Sequence, residues 1–313
     1  MSKVVDVSTH SSSEDDILSK LSALVRARNI ANDEVHIGDD AAVLAPFTGQ
    51  AVISTDTAVW GIHLDQSVFG LSDLGYKAVT SAVSDIAAMG AMVRGCVIGV
   101  TSPAGTDLEE LYRGVSEASR EMGCPVVGGD LSSGHDVSLT VTVFGECPGK
   151  GAVLRSGAQP GDTILVTGPL GRAAAGLREA RAGANLDDPL VLAHRRPVAL
   201  LSEGLAARGA GAHAMMDLSD GLALDLHRLA DASNVGFELE SVPVGIGATE
   251  EEALSGGEDY ELLITTDEPE RMIMIFLDRG LDAPIEIGRV VADVRVRTLQ
   301  NEVLEKRGFQ HRL

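Results

Sequence analysis

The sequence lacks any apolar run of bilayer-spanning length, any surplus of positive charge, and more than a few aromatic residues or cysteines among its 313 residues. Each shortage excludes something. Without roughly 20 consecutive apolar residues there is no candidate transmembrane helix, so no membrane partner is expected. Lysine and arginine number 25 against 46 acidic residues, a formal net charge of -21. That balance argues against gripping a phosphate backbone, and hence against a nucleic-acid partner. Cys96, Cys124 and Cys147 are odd in number, sit in strand-like apolar contexts and include no CxxC pair. Reduced buried thiols are expected, rather than a disulfide or a zinc site. The first residues carry neither a basic segment nor an apolar core, so a secretory signal is not expected and the cytoplasm is the expected location. Neither the Walker A pattern nor Gly-x-Gly-x-x-Gly occurs, which removes the standard nucleotide-binding loops.

What is present is the composition of an α/β enzyme: 44% hydrophobic residues with 35 glycines. The length suggests two domains. Pro148-Gly149-Lys150-Gly151 is the composition break, giving domains 1–148 and 149–313. The acids that matter are those in apolar or glycine-rich settings, where an unpaired carboxylate is costly unless a cation compensates it. Asp217-Leu218-Ser219-Asp220-Gly221 follows the apolar Ala214-Met215-Met216 and precedes a helical repeat of Leu222, Leu226 and Leu229, with Asp225 and Arg228 on the opposite face. Such a strand-to-helix turn offers backbone N–H groups to phosphate and hard oxygen ligands to a divalent cation. A plain helix N-cap is the bland alternative.

The same grammar recurs upstream. Asp39-Asp40 lies between Gly38 and small apolar residues, and Ser54-Thr55-Asp56-Thr57 reads as the end of a buried strand. Asp85 interrupts the small-residue stretch of a helix predicted over 71–90, and Gly128-Gly129-Asp130 again reads as a strand end. Helices are also predicted at 14–28, 107–122, 171–183 and 196–209. Arg155 sits in a glycine-bounded turn where its fork suits phosphate oxygens. On local grounds His63 is a lone, structural histidine. So many carboxylates cannot all stay ionised close together without several bound cations, and Mg²⁺ bridging polyphosphate meets that need.

Taken in order, Gly38-Asp39-Asp40-Ala41-Ala42, Ser54-Thr55-Asp56-Thr57, Ser84-Asp85-Ile86-Ala87-Ala88-Met89-Gly90, Gly128-Gly129-Asp130, Asp217-Leu218-Ser219-Asp220-Gly221 and Ser255-Gly256-Gly257-Glu258-Asp259-Tyr260-Glu261 closely resemble the thiamine-monophosphate kinase family. The resemblance implies the aminoimidazole-ribonucleotide-synthetase-like α/β (α+β) fold. In that fold a first domain (1–148) binds ATP and Mg²⁺ and pairs its sheet across a homodimer, and a second (149–313) completes the site. It implies transfer of the γ-phosphoryl of ATP to thiamine monophosphate. It assigns Asp40, Ser54, Thr55, Asp56, Asp85, Asp130, Asp217 and Asp220 to Mg²⁺, with Asp85, Asp130, Asp217 and Asp220 central to catalysis. Gly129, Asp130, Arg155 and Ser219 would hold ATP, with Tyr112 beside its base, and His63, Glu258 and Phe309 would contact the acceptor. Leu131 departs from the threonine common in the family. Two alternatives remain from the sequence alone. One is another member of the superfamily with a different acceptor, although no cysteine precedes Cys96 as selenophosphate synthetase would require. The other is a non-catalytic, acid-rich metal-binding protein.

Overall fold

A computed structural model describes residues 14–26, 34–149 and 151–310. In the N-terminal half, β1 (Gln50–Val59), β2 (Met92–Ser102), β3 (Val126–Ser133) and β4 (Ser138–Cys147) form a sheet in the order β1-β4-β2-β3. Only β2 and β3 run parallel. Helices α1 (Glu14–Val25), α2 (Leu71–Ala88) and α3 (Leu108–Glu121) complete this half, and the core between helices and sheet is built from residues such as Leu74, Ile86, Ile98, Leu111 and Val141. Along β1 exposure alternates with period two. Ala51, Ile53, Thr55 and Thr57 are exposed, while Val52, Ser54, Asp56 and Ala58 are half-buried or buried. One face of the sheet therefore carries the core and the other is open.

The C-terminal half holds β5 (Thr163–Val166), β6 (Ala214–Asp217), β7 (Gly236–Leu239), β8 (Leu262–Thr266), β9 (Ile285–Val291), β10 (Arg297–Leu299) and β11 (Glu302–Val303) in the order β11-β10-β7-β9-β5-β8-β6. With them are α4 (Arg172–Arg181), α5 (Pro189–Arg195), α6 (Leu201–Ala210), α7 (Leu222–Ser233), α8 (Glu250–Ser255) and α9 (Pro269–Asp278). Strand β6 lies at the edge nearest the N-terminal half. There Ala87 and Ala88 of α2 pack with Ala206, Ala207, Met215 and Phe276. The buried Asp73 of α2 binds Arg195 at 2.8 Å and Arg196 at 3.1 Å. Helix α2 is thus a wall shared by both halves.

Three expectations are corrected. The helix predicted over 196–209 begins at Leu201, with α5 as a separate helix before it, because Pro197 disfavours helical backbone at its predecessor. Asp56 and Asp130 lie within β1 and β3 rather than at strand ends, since the sheet is mostly antiparallel and the strand-end rule of open parallel sheets does not govern it. Helix α1 ends at Val25, and the rest of its predicted span, beyond Arg26, lies outside the described residues.

Candidate active site

Helix α2 presents Lys77, Ser81, Ser84 and Asp85 at i, i+4, i+7 and i+8, one stripe about 12 Å long at 1.5 Å rise per residue. Ser81 and Asp85 line a cleft of about 830 Å³ between the two halves. Asp56, Asp217, Ser219 and Asp220 join it near Asp85, and His63, Glu258 and Phe309 line it as well.

At the Asp85 end, Ser84 Oγ donates to Asp217 Oδ2 at 2.7 Å, and Ser54 Oγ donates to Asp85 Oδ2. Asp217 is 3% exposed. Burial pushes it up to about 7, the charge of Asp85 adds to this, and Ser84 and Arg155 oppose it. Burial also raises Asp85, with Asp56 adding repulsion. Asp220 projects from the turn between β6 and α7. That turn is held from beneath by Asp225, whose Oδ2 accepts the N–H groups of Asp220 (2.9 Å) and Gly221 (3.1 Å). Arg228 pairs with Asp220 at 2.5 Å and with Asp225 at 2.7 Å. The segment before β8 clasps the same turn, with Leu218 N–H to Glu261 O at 2.8 Å and Glu258 N–H to Ser219 O at 2.8 Å. Asp225 is therefore buried, not on the solvent face that its helical position suggests.

At the other end the N–H of Val59 donates to His63 Nδ1 at 2.9 Å, which leaves the proton of the neutral ring on Nε2. Glu258 adopts a left-handed backbone conformation, φ 71°. Its Oε2 receives Lys77 Nζ at 2.6 Å and lies 3.5 Å from His194 Nδ1. Phe309 is 45% exposed, and its N–H donates to Asp220 O at 3.0 Å.

Residues 38–147 match the family described as AIR synthase related protein, N-terminal domain, and residues 159–299 match its C-terminal domain. A thiamine-monophosphate kinase of Bacillus subtilis (strain 168) is 33% identical over 303 residues, covering 89% of this chain and 93% of its own. The chain belongs to the thiamine-monophosphate kinase family. The crystal structure of thiamine-monophosphate kinase from Stenotrophomonas maltophilia K279a is similar with a TM-score of 0.76 at 32% identity, covering 87% of this chain and 92% of that one. AaThiL complexed with AMPPCP and TMP gives 0.74 at 28% identity over 95% and 96%.

In this member of the thiamine-monophosphate kinase family, nine of the expected site residues line the cleft: Thr55, Asp56, His63, Asp85, Asp217, Ser219, Asp220, Glu258 and Phe309. Ser54 supports Asp85 from β1. Arg155 lies outside the cleft lining, but its charge reaches Asp85 and Asp217. Four residues do not join them. Asp40 is exposed in a loop that contributes nothing to the cleft. Gly129 and Asp130 lie on β3, across the sheet from β1, about 14 Å away at three strand spacings. Tyr112 is buried in the core close to Asp130. Among the described residues no three His, Cys, Asp or Glu side chains form a self-sufficient metal site. Lys77 and His194 drew no notice in the sequence, Tyr260 stood there only as part of its motif, and Asp225 only as a charge on the outer face of its helix. The polar stripe 77-81-84-85 along the small-residue stretch of the helix was the available signal for Lys77.

Proposed function

We propose that this chain transfers the γ-phosphoryl group of ATP in line and directly to the phosphate of thiamine monophosphate, giving thiamine diphosphate and ADP. The observation that carries the reading is the meeting, in one cleft, of Asp56, Asp85, Asp217 and Asp220 with His63, Glu258 and Phe309. The carboxylate end fits a hard cation. Its donors are all oxygen, and Asp217 is driven toward its protonated form by burial and by Asp85, a strain that a cation relieves. Asp56, Asp85, Asp217 and Asp220, with Ser54 and Thr55, would hold Mg²⁺. The incomplete protein ligand set suits an ion that keeps waters and substrate oxygens in its shell. When bound, Mg²⁺ neutralises repulsion between the two polyanions and stabilises charge on the transferring group.

The chain's own groups do the rest. Arg155 adds positive charge beside the carboxylates, and Ser219 offers a hydroxyl at a helix-leading turn that welcomes phosphate. His63 presents Nε2–H as a donor, and Phe309 gives an apolar face to the acceptor's rings. No general base is needed, because a phosphate monoester has a second pKa of about 6 and is largely ionised at neutral pH.

We further propose a homodimer in which Gly129 and Asp130, together with Asp40, serve the cleft of a second copy, with Tyr112 packed behind them in the core. What supports this is the separation of β3 from β1 within one chain and the open sheet face bearing Ile53, 65% exposed, with Thr55 and Thr57. Residues 1–148 then carry nucleotide, metal and dimer contacts, and residues 149–313 complete the site. The three free, buried cysteines suit a reducing cytoplasm.

The test is an endpoint assay with ATP, Mg²⁺ and thiamine monophosphate, resolving thiamine diphosphate as its fluorescent thiochrome. Product that requires both ATP and Mg²⁺ supports the reading, and no product with ATP still bound redirects it to another acceptor. Mixing Asp130→Asn with Asp217→Asn subunits tests the shared site. Statistical pairing restores about a quarter of the sites if Asp130 acts in trans, and none if it acts in cis.

A further inference from the structure

Glu258 is held from behind by a cation that takes no part in the chemistry described so far. Lys77 is a lysine on a core helix with its side chain 4% exposed, and its Nζ lies 2.6 Å from Glu258 Oε2. Burial lowers its pKa, with Glu258 opposing the shift, and the 2.6 Å contact is that of an ammonium with a carboxylate. His194 closes the other side. Its side chain is 3% exposed, its ring is 5.3 Å from Phe69, and burial pushes it down to about 2, which keeps it neutral. A lysine can only donate, so the 3.5 Å contact between Lys77 Nζ and His194 Nε2 makes Nε2 the acceptor and places the ring proton on Nδ1. That nitrogen makes no hydrogen bond and lies 3.5 Å from Glu258 Oε2. Lys77 from one half of the molecule thus binds this oxygen, with the His194 ring from the other half packed beside it. The Glu258 side chain is 27% exposed and lines the cleft.

Resting on the functional reading above, we infer that Lys77 is the residue that sets acceptor specificity: it fixes Glu258 in place as a hydrogen-bond acceptor, so that the cleft selects a ring bearing an N–H donor, such as an aminopyrimidine, over one bearing a carbonyl. With Oε2 bound to Lys77 Nζ, the Glu258 carboxylate offers Oε1 as an acceptor. An amino group donates to it. An oxo group in the same place sets two acceptors against each other in a partly desolvated site, which is the situation that produces strong discrimination. Lys77 is therefore a positioning residue, acting through Glu258 and eight residues along α2 from Asp85, where phosphoryl transfer takes place.

The experiment compares thiamine monophosphate with oxythiamine monophosphate, in which the amino group is replaced by oxo, as acceptors at saturating ATP and Mg²⁺. The wild-type protein is expected to prefer the amino acceptor by about 100-fold in kcat/KM. In Lys77→Met the preference is expected to shrink to within a few-fold. The KM for thiamine monophosphate should rise about tenfold or more, while the KM for ATP stays within about twofold. A merely structural role would move both KM values and leave the ratio between acceptors alone. Lys77→Met that melts like the wild type and keeps its preference overturns the inference. Should that variant not fold, Lys77→Met/Glu258→Gln removes both charges together, and a wild-type preference in the double variant overturns it equally. Wild-type protein that phosphorylates neither acceptor removes the functional reading and this inference with it. Phosphorylation by the wild type with an unchanged ratio in the variants removes the inference alone.

Discussion

Glu258 and Asp217 stand in the same cleft against the same helix, yet only one of them has a cation of its own. Glu258 meets Lys77 at 2.6 Å. Asp217, 3% exposed, is given the hydroxyl of Ser84 at 2.7 Å, the repulsion of Asp85 and a weaker pull from Arg155. A buried lysine opposite Asp217 would have been a simple remedy, and α2 already carries one two turns away. Its absence there leaves the negative charge to be balanced by whatever arrives with the substrates. On the function proposed above, the difference separates recognition from chemistry. Where a group must be recognised the protein supplies a permanent counter-charge, and where phosphoryl groups must be brought together it withholds one.

Removing charge at the uncompensated end should have the largest effect. Asp217→Asn and Asp85→Asn are each expected to lower kcat on the order of a thousandfold, with unchanged circular dichroism. Turnover near the wild-type level in either would remove that residue from the metal set.

The pH dependence of stability sharpens the same contrast. In the folded protein Asp217 is pushed up to about 7 from an ordinary 3.8. The folded chain therefore keeps a proton that the unfolded chain has already released between those values. Stability from this group is present at low pH and is lost as pH rises from about 4 to about 7. Without metal, the melting temperature should be lower at pH 8 than at pH 5. Asp217→Asn should lessen that slope without abolishing it, because burial also raises Glu261 to about 7 and Asp259 to about 6. Mg²⁺ with an ATP analogue should restore most stability at pH 8. Equal slopes in wild type and variant would show that Asp217 is not the group under strain.

Asp225 tests the scaffold beneath that end. Asp225→Asn keeps the shape but removes the charge that Arg228 and two turn N–H groups share, and should cost about 2 kcal/mol in urea unfolding. A loss below about 0.5 kcal/mol would mean that the turn holds itself.

The sequence made some of this legible. An apolar run followed by a 3.6-residue period located the turn at 217–221 between β6 and α7, and the small-residue pattern located α2 with Asp85 on it. What it could not convey was long-range pairing. That β1 and β3 lie at opposite edges of the N-terminal sheet depends on strand order, which alternation within a strand does not encode, so Asp130 looked like a neighbour of Asp56. Asp225 was misread because helical periodicity sends charges outward, whereas here the preceding turn folds back over it. Lys77 carries no local signal of its pairing, because a lysine on an apolar helix ordinarily extends its ammonium to water. Only its juxtaposition with Glu258, 181 positions later, shows otherwise.

The smallest expected effect asks whether the two ends of the cleft are separable. A Cβ at Gly308 would run into Asp220 O and lie 2.9 Å from Leu224 Cβ, so Gly308→Ala must displace the C-terminal segment that brings Phe309 N–H to Asp220 O. Losing one such hydrogen bond is worth about 1 kcal/mol, or roughly fivefold. If Phe309 serves only the acceptor, that factor should appear in the KM for thiamine monophosphate, with kcat and the KM for ATP nearly unchanged. If kcat or the KM for ATP falls out of line instead, strain at Gly308 has passed through the Asp220 carbonyl into the metal end. The cleft would then work as one mechanical unit, and the contrast between its ends would be one of charge alone.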